Sequence, residues 1–381
     1  MKPKLLILTD WFLPGYKAGG PIRSVANLCR ELADEMDLYV LTGDRDYGDD
    51  TPYEDIQPKT WVDWNGKVKV WYISPQELSL DKMLSIIEEV TPSMIYLNSM
   101  FSVKYAVWPV YLLAMNKLTA QLVWAPRGML HKGAIQYKRW RKYIFLALVR
   151  LRGLPAKIRF HATDEQEARD IRKHLGKKAE AVVIGNLTHL PEERLDKKRK
   201  ANEQLALGFI SRIHPKKNLL FLLEVLQGIS SFLKLNIWGP VEDENYWEKC
   251  QQTISQLPDN IQVAYEGVLT HEGVEQKLNE VDVFVLPTQG ENFGHAIYEA
   301  FAQGTPALIS EKTPWRNLSE GMAGWDLPLE SEVWRRKLEE LIHTSEEEFT
   351  LWQEGARAFA EQKSVNKALV KAYKNLFLLH A

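Results

Sequence analysis

Apolar residues fall along the chain in two alternating rhythms. Short runs of aliphatic and aromatic residues lie at Leu5–Thr9, Leu38–Thr42, Val68–Ile73, Met94–Leu97, Leu122–Ala125, Ile158–His161 and Ala181–Ile184. A second series lies at Leu205–Ser211, Leu235–Trp238, Ile261–Tyr265, Val283–Pro287 and Ala307–Ser310. Short apolar runs bounded by turn residues predict strands. Between them, Arg23–Leu32, Leu80–Glu89, Leu219–Gly228, Tyr246–Leu257 and Gly273–Asn279 repeat their apolar positions every three to four residues, which predicts amphipathic helices. Such alternation points to an α/β fold with parallel sheets and helices on both faces. The strands outnumber what one open sheet ordinarily carries, so two doubly wound domains are expected.

The boundary falls in Pro191–Asn202, a charged stretch with no apolar stripe that reads as a solvated linker or loop. It places an N-terminal domain at residues 1–185 and a C-terminal domain at 186–363. Two domains of ordinary size suit a length of 381 residues, and the 45% hydrophobic and 26% charged residues are those of a soluble globular chain. Cys29 and Cys250 are too far apart for a disulfide framework or a metal pattern and suit a reducing cytoplasm. The first apolar run is too short for a signal peptide, and no run reaches a membrane span.

Charge changes this picture. The net charge is −2, yet Val90–Thr163 holds twelve Lys and Arg and no acidic residue, so the rest of the chain stands at −14. A field of that kind favours an anionic partner: a phosphorylated ligand, an anionic lipid surface or a nucleic acid. Residues 137–152 concentrate the effect, mixing aromatics and cations around an apolar centre. They read either as a helix lying in an anionic membrane interface or as one packed on its own domain with its cations solvated.

Ligands of open α/β sheets bind beyond the C-terminal ends of the strands, so the chemistry is sought in the following loops. The first, Thr9–Arg23, carries Gly19 and Gly20 and is expected to enter a helix near Ser24. Its glycines let backbone N–H groups approach an anion, or are ordinary turn glycines. It lacks the Gly-x-Gly-x-x-Gly pattern, which argues against a simple dehydrogenase. The second loop, Ser211–Asn218, sets Arg212 and Lys217 five apart, suited to a diphosphate or merely solvated. The third runs Gly290-Glu291-Asn292-Phe293-Gly294 into a helix carrying Glu299 and ending at Gly304-Thr305-Pro306. Glu291 at the helix mouth stays ionised and accepts sugar hydroxyls. Glu299 stands on a helix apolar on nearly every side, where a carboxylate needs a partner. Asp44-Arg45-Asp46 has an Asp-x-Asp form but follows a strand of the first domain, the wrong context for a metal, and reads as a solvated acidic loop.

The segment Glu-Asn-Phe-Gly-x-x-x-x-Glu-Ala with Gly-Thr-Pro after it resembles the signature of glycosyltransferase family 4, the group 1 glycosyltransferases. The Arg212/Lys217 pair, the Gly19-Gly20 loop, Glu266-Gly267-Val268 and the closing Lys363–Tyr373 segment resemble further landmarks, so the likeness runs along almost the whole chain. It implies a retaining enzyme of the GT-B fold, with two Rossmann-like domains facing across a cleft and residues 364–381 completing the first. Glu291 would then hold donor-sugar hydroxyls with the N–H groups of Asn292, Phe293 and Gly294, and Glu299 the ribose. Arg212 and Lys217 would neutralise the diphosphate, with Gly19 and Gly20 closing over it. The family brings in a His from the first domain; here the matching loop offers His131, further from the strand end than in commoner forms, or a plain surface histidine. Arg127 and Asn98 are candidates for the acceptor side.

The implied partners are a nucleotide-sugar donor and a glycan or lipid-linked acceptor, with the membrane through 137–152 as a further candidate and no nucleic acid. No cofactor or bound metal is expected, and the location is cytoplasmic, peripheral at the inner membrane face if the helix docks. A sugar-nucleotide epimerase of the same fold type is the alternative. A phosphorylase is disfavoured by length, and a non-catalytic binding module leaves Glu291 and Glu299 unexplained.

Overall fold

A computed structural model describes residues 2–136, 139–191 and 203–378. The chain divides into two compact units, Met1–Leu187 with Val365–Ala381 and Thr188–Ser364. The first unit runs β1 (Lys4–Leu8), α1 (Gly20–Leu32), β2 (Asp37–Gly43), β3 (Trp61–Trp64), β4 (Val68–Ile73), α2 (Leu80–Val90), β5 (Met94–Leu97) and α3 (Trp108–Ala114). It continues through β6 (Gln121–Trp124), α4 (Lys132–Gln136), α5 (Arg139–Leu151), β7 (Ile158–Ala162), α6 (Glu165–Leu175) and β8 (Ala181–Val183). Its sheet has the order β3-β4-β2-β1-β5-β6-β7-β8, parallel throughout except for the β3/β4 pair. The central strand alternates its partners: Leu6 and Leu8 join one core layer, Leu5 and Ile7 the opposite one. A strand covered on both faces reads as a continuous apolar run, which is why β1 was legible.

The second unit runs β9 (Gln204–Ile210), α7 (Leu219–Leu226), β10 (Phe232–Trp238), α8 (Glu244–Ile254), β11 (Ile261–Tyr265), α9 (His271–Glu280) and β12 (Val283–Leu286). Then come α10 (His295–Ala302), β13 (Ala307–Ser310), β14 (Gly324–Leu327), α11 (Ser331–His343) and α12 (Glu346–Lys363). All its strands are parallel, in the order β11-β10-β9-β12-β13-β14, around one core. The chain then returns to the first unit as α13 (Lys367–Leu378), whose Tyr373, Leu376 and Phe377 join the core layer of Leu5 and Ile7. The expected pair of doubly wound α/β domains is thus present.

Several local expectations need correction. Helix α1 begins at Gly20, not near Ser24, because Pro21 occupies its first turn, where the missing N–H has no intrahelical partner to lose. Strands β3 and β14 escaped the sequence reading; each has four residues, and polar Asp63 or Asp326 interrupts its apolar run. Strand β10 begins at Phe232 rather than Leu235, since exposed Lys234 hid its first turn of alternation. The charged stretch at 192–202 lies outside the described residues.

Candidate active site

In each sheet the strand order reverses beside one strand, and that switch point opens a crevice at the carboxyl ends. In the second unit it lies between β9 and β12, so the loops after those strands face each other. Backbone bonds fix their spacing. The Lys216 carbonyl accepts from the Gln289 N–H at 2.8 Å and from the Thr288 hydroxyl at 3.2 Å. The Trp315 indole N–H donates to the Phe293 carbonyl at 2.5 Å, and the Glu291 N–H donates to the Lys312 carbonyl at 3.3 Å. His214 caps its own turn, its Nδ1 accepting from the Lys216 N–H at 3.1 Å.

This scaffold brings Lys217 Nζ to 2.5 Å from Glu291 Oε1. Both side chains keep little exposure, 14% and 11%, so the pair lies in a poorly solvated recess. Lys216 sits against the same recess; burial lowers its pKa, with nearby Glu291 opposing the shift. Arg212 pairs with Glu242 at 2.7 Å on a more open surface. The two predicted diphosphate cations thus each hold a carboxylate rather than standing as a solvated pair. Gly239 lets the ends of β9 and β10 meet: a Cβ there would lie 1.9 Å from the Ser211 carbonyl oxygen. Beyond it, the Tyr265 hydroxyl donates to the Gly239 carbonyl at 2.9 Å, and the Trp238 indole N–H donates to Glu266 at 3.0 Å.

Gly294 caps α10 with φ 81°, a left-handed backbone, and Asn292 and Phe293 precede it in the partly buried loop. Glu299 corrects the picture of an all-apolar helix. Ile297, Tyr298, Ala300, Phe301 and Ala302 are buried, but His295, Ala296 and Glu299 share a half-exposed stripe. Glu299 therefore keeps contact with solvent on the side that continues from the Glu291 loop. Lys216, His214 and Glu242 were missed from sequence. Lys216 was masked by its neighbour Lys217, and Glu242 belongs to no motif.

In the first unit the switch point lies between β1 and β5. Gly19 takes φ 66° as the cap of α1, and Gly20 is the first helical residue. The loop before them is held by Asp46, whose carboxylate accepts from the N–H groups of Tyr16 at 2.7 Å and Lys17 at 3.0 Å. Asp44 pairs with Arg45 at 2.8 Å. Asp44 and Asp46 are buried, so the Asp-x-Asp stretch is no solvated acidic loop; it organises the glycine loop. Asp10, not singled out beforehand, ends up beside it. Burial raises its pKa, although the Ser102 hydroxyl donates to it at 2.7 Å.

Arg127 also departs from expectation. It takes a left-handed backbone, φ 54°, and turns its guanidinium into the unit. There it donates to Asn98 Oδ1 at 2.7 Å, to Asn186 Oδ1 at 2.6 Å and to the Tyr96 hydroxyl at 2.7 Å. The Tyr96 hydroxyl meets His161 Nδ1 at 2.8 Å, and His161 Nε2 meets the Ile184 carbonyl at 2.9 Å. That carbonyl can only accept, so Nε2 carries the proton and Nδ1 accepts from Tyr96. Burial, with Arg127 adding to it, depresses the His161 pKa to about 3 and keeps the ring neutral. Arg127 and Asn98 therefore brace the first unit. His131 is not a plain surface histidine either: its Nδ1 lies 2.7 Å from Asp170 Oδ2, a pairing that orients the ring.

The architecture defines a class, and similarity to known proteins narrows it. The fold is shared with HepE from Anabaena in complex with UDP and glucose, at TM-score 0.69, 17% identity and 98% of both chains. Sucrose-phosphate synthase from Thermosynechococcus elongatus matches over 100% of both chains at TM-score 0.73 and 16% identity. The two-unit fold is thus that of the GT-B glycosyltransferases. Residues 191–324, within the second unit, match the family described as Glycosyl transferases group 1. The Bacillus subtilis protein named "Putative glycosyltransferase EpsF" is 34% identical over 116 residues, which span 29% of this chain and 28% of that relative.

Proposed function

We propose that the protein is a retaining glycosyltransferase that moves a sugar from a nucleotide-diphosphate donor, a UDP-hexose, to a glycan or lipid-linked saccharide. The observation that carries this reading is the Lys217–Glu291 pair, with Lys216 beside it, at the switch point of the unit that holds the match to the group 1 glycosyltransferases. Breaking a glycosyl–phosphate bond builds negative charge on the leaving diphosphate and positive charge on the ring. Lys217 and Arg212 neutralise the former, while Glu291 holds the sugar hydroxyls and Glu299 the ribose. The N–H groups of Asn292, Phe293 and Gly294 add dipoles at the same helix mouth. Donor entry exchanges the resting ion pairs: Lys217 and Arg212 turn from Glu291 and Glu242 to phosphate. Gly19, Gly20 and His131 of the first unit are also given roles in turnover. Fixed cations take the part a divalent ion plays elsewhere, so no bound metal is required.

The UDP assignment follows HepE, whose complexes contain UDP and UDP-glucose. Cell-surface glycan assembly follows WaaG, described as involved in lipopolysaccharide biosynthesis, which matches at TM-score 0.66 and 13% identity. Buried, unpaired Cys29 and Cys250 fit a cytoplasmic setting. The test is a donor screen across UDP-, GDP- and ADP-sugars, following nucleotide release and thermal stabilisation with chelator present. Release from a UDP-hexose, roughly 100-fold lower in Lys217→Met, is expected. Isomerised donor without transfer, or release only when a divalent metal is added, would overturn the reading.

A further inference from the structure

Helix α5 turns its apolar stripe away from the protein. Trp140, Tyr143, Ile144, Leu148 and Leu151 recur every three to four residues and are 47% to 83% exposed. They form one continuous face about 17 Å long at 1.5 Å per residue. The opposite side holds the helix in place: Leu146 and Val149 are buried, and the Phe145 ring meets Trp124 and Phe101 edge-on. The Lys142 ammonium donates to the Ala134 carbonyl at 2.8 Å. The helix is therefore seated by one face and offers a second, equally apolar face outward.

Isolated exposed apolar residues need no explanation, but a contiguous exposed stripe does. Its rim says what covers it. Exposed Arg139, Arg141, Arg150 and Arg152 flank the stripe, within the stretch Val90–Thr163 that has no acidic residue. Apolar face and cationic rim together match an anionic bilayer surface, where the former enters the acyl boundary and the latter meets headgroups. A second copy docking on this face would bring like rims together. A nucleic acid would leave Ile144, Leu148 and Leu151 unused. We infer that α5 is a docking helix that seats the first unit on an anionic lipid surface. Residues 137–138, part of the same basic stretch, lie outside the described residues; the docking face is formed by Arg139–Arg152.

The test does not depend on the transferase reading. The full chain is mixed with phosphatidylcholine vesicles, with and without phosphatidylglycerol, and bound protein is measured by flotation across a salt series. Binding to the anionic vesicles alone, weakening as salt rises, is expected. Ile144→Gln with Leu148→Gln should lower it at least tenfold, and Arg139→Gln or Arg141→Gln about fivefold each. Unchanged thermal melting shows that these exposed-site variants are folded. Absence of binding at low salt would overturn the inference, as would binding that none of the variants weakens. So would a dimer in sedimentation that the Ile144/Leu148 variant breaks without any vesicle binding.

Discussion

Replacing Arg127 by Met distinguishes a bracing residue from an acceptor-binding one. The guanidinium makes three bonds of 2.6 to 2.7 Å to acceptors on Asn98, Asn186 and Tyr96. Each charge-assisted bond contributes roughly 1.5–3 kcal/mol. Removing the charge also removes its own desolvation penalty, which offsets part of the loss. Three neutral acceptors left without this donor cost about 1–3 kcal/mol each, so after that offset a net cost of about 3–5 kcal/mol is expected. For a unit of this size each kcal/mol lowers the midpoint by roughly 2–4 °C, so a drop on the order of 10 °C is expected. Arg127→Lys keeps the charge but loses the planar fork, and it should recover less than half. Thermal and urea unfolding of the three proteins measure this. A midpoint within about 2 °C of the parent for Arg127→Met, a loss under ~1 kcal/mol, would refute the bracing role.

Three further outcomes follow. Gly239→Ala should cripple donor binding and stability together, because its Cβ would meet the Ser211 carbonyl at 1.9 Å; a titration with UDP and a melt of the variant check both. Acid should destabilise the first unit through His161. The unfolded imidazole takes up a proton near its usual value of 6.5, whereas the folded one waits until about 3, so stability is lost as pH falls through that window. About 1.4 kcal/mol should be gone by roughly pH 5.5, and a melting temperature flat between about pH 7 and 5 would count against it. Asp170→Asn should free the His131 ring from its orienting partner and lower turnover; unchanged turnover in this variant would separate His131 from the chemistry.

Much of the fold was legible because parallel strands buried on both faces announce themselves as apolar runs, as Leu5–Leu8 and Val283–Leu286 do. The misses have physical reasons. Trp61–Trp64 and Gly324–Leu327 are short edge strands with an acidic residue inside, so no run stood out. Glu291 and Glu299 were readable as candidates because they sit on one local segment at fixed spacing. What could not be read was the partnership across distance. Nothing near Asp46 in sequence says that it holds the Tyr16 and Lys17 amides, and nothing near Arg127 says that its fork reaches Asn186. The α5 stripe was visible as a pattern, but only packing decides which of two apolar faces turns inward.

The central claim is that the β9/β12 switch point of the second unit takes up a nucleotide diphosphate through Lys217 and Glu299. Calorimetric titration of UDP into the parent protein, Lys217→Met and Glu299→Ala tests it most directly. The account predicts saturable binding to the parent, weakened at least tenfold in both variants while their melting temperatures show them folded. Binding of equal strength in all three proteins, or no binding of UDP, GDP or ADP to the parent, would contradict it.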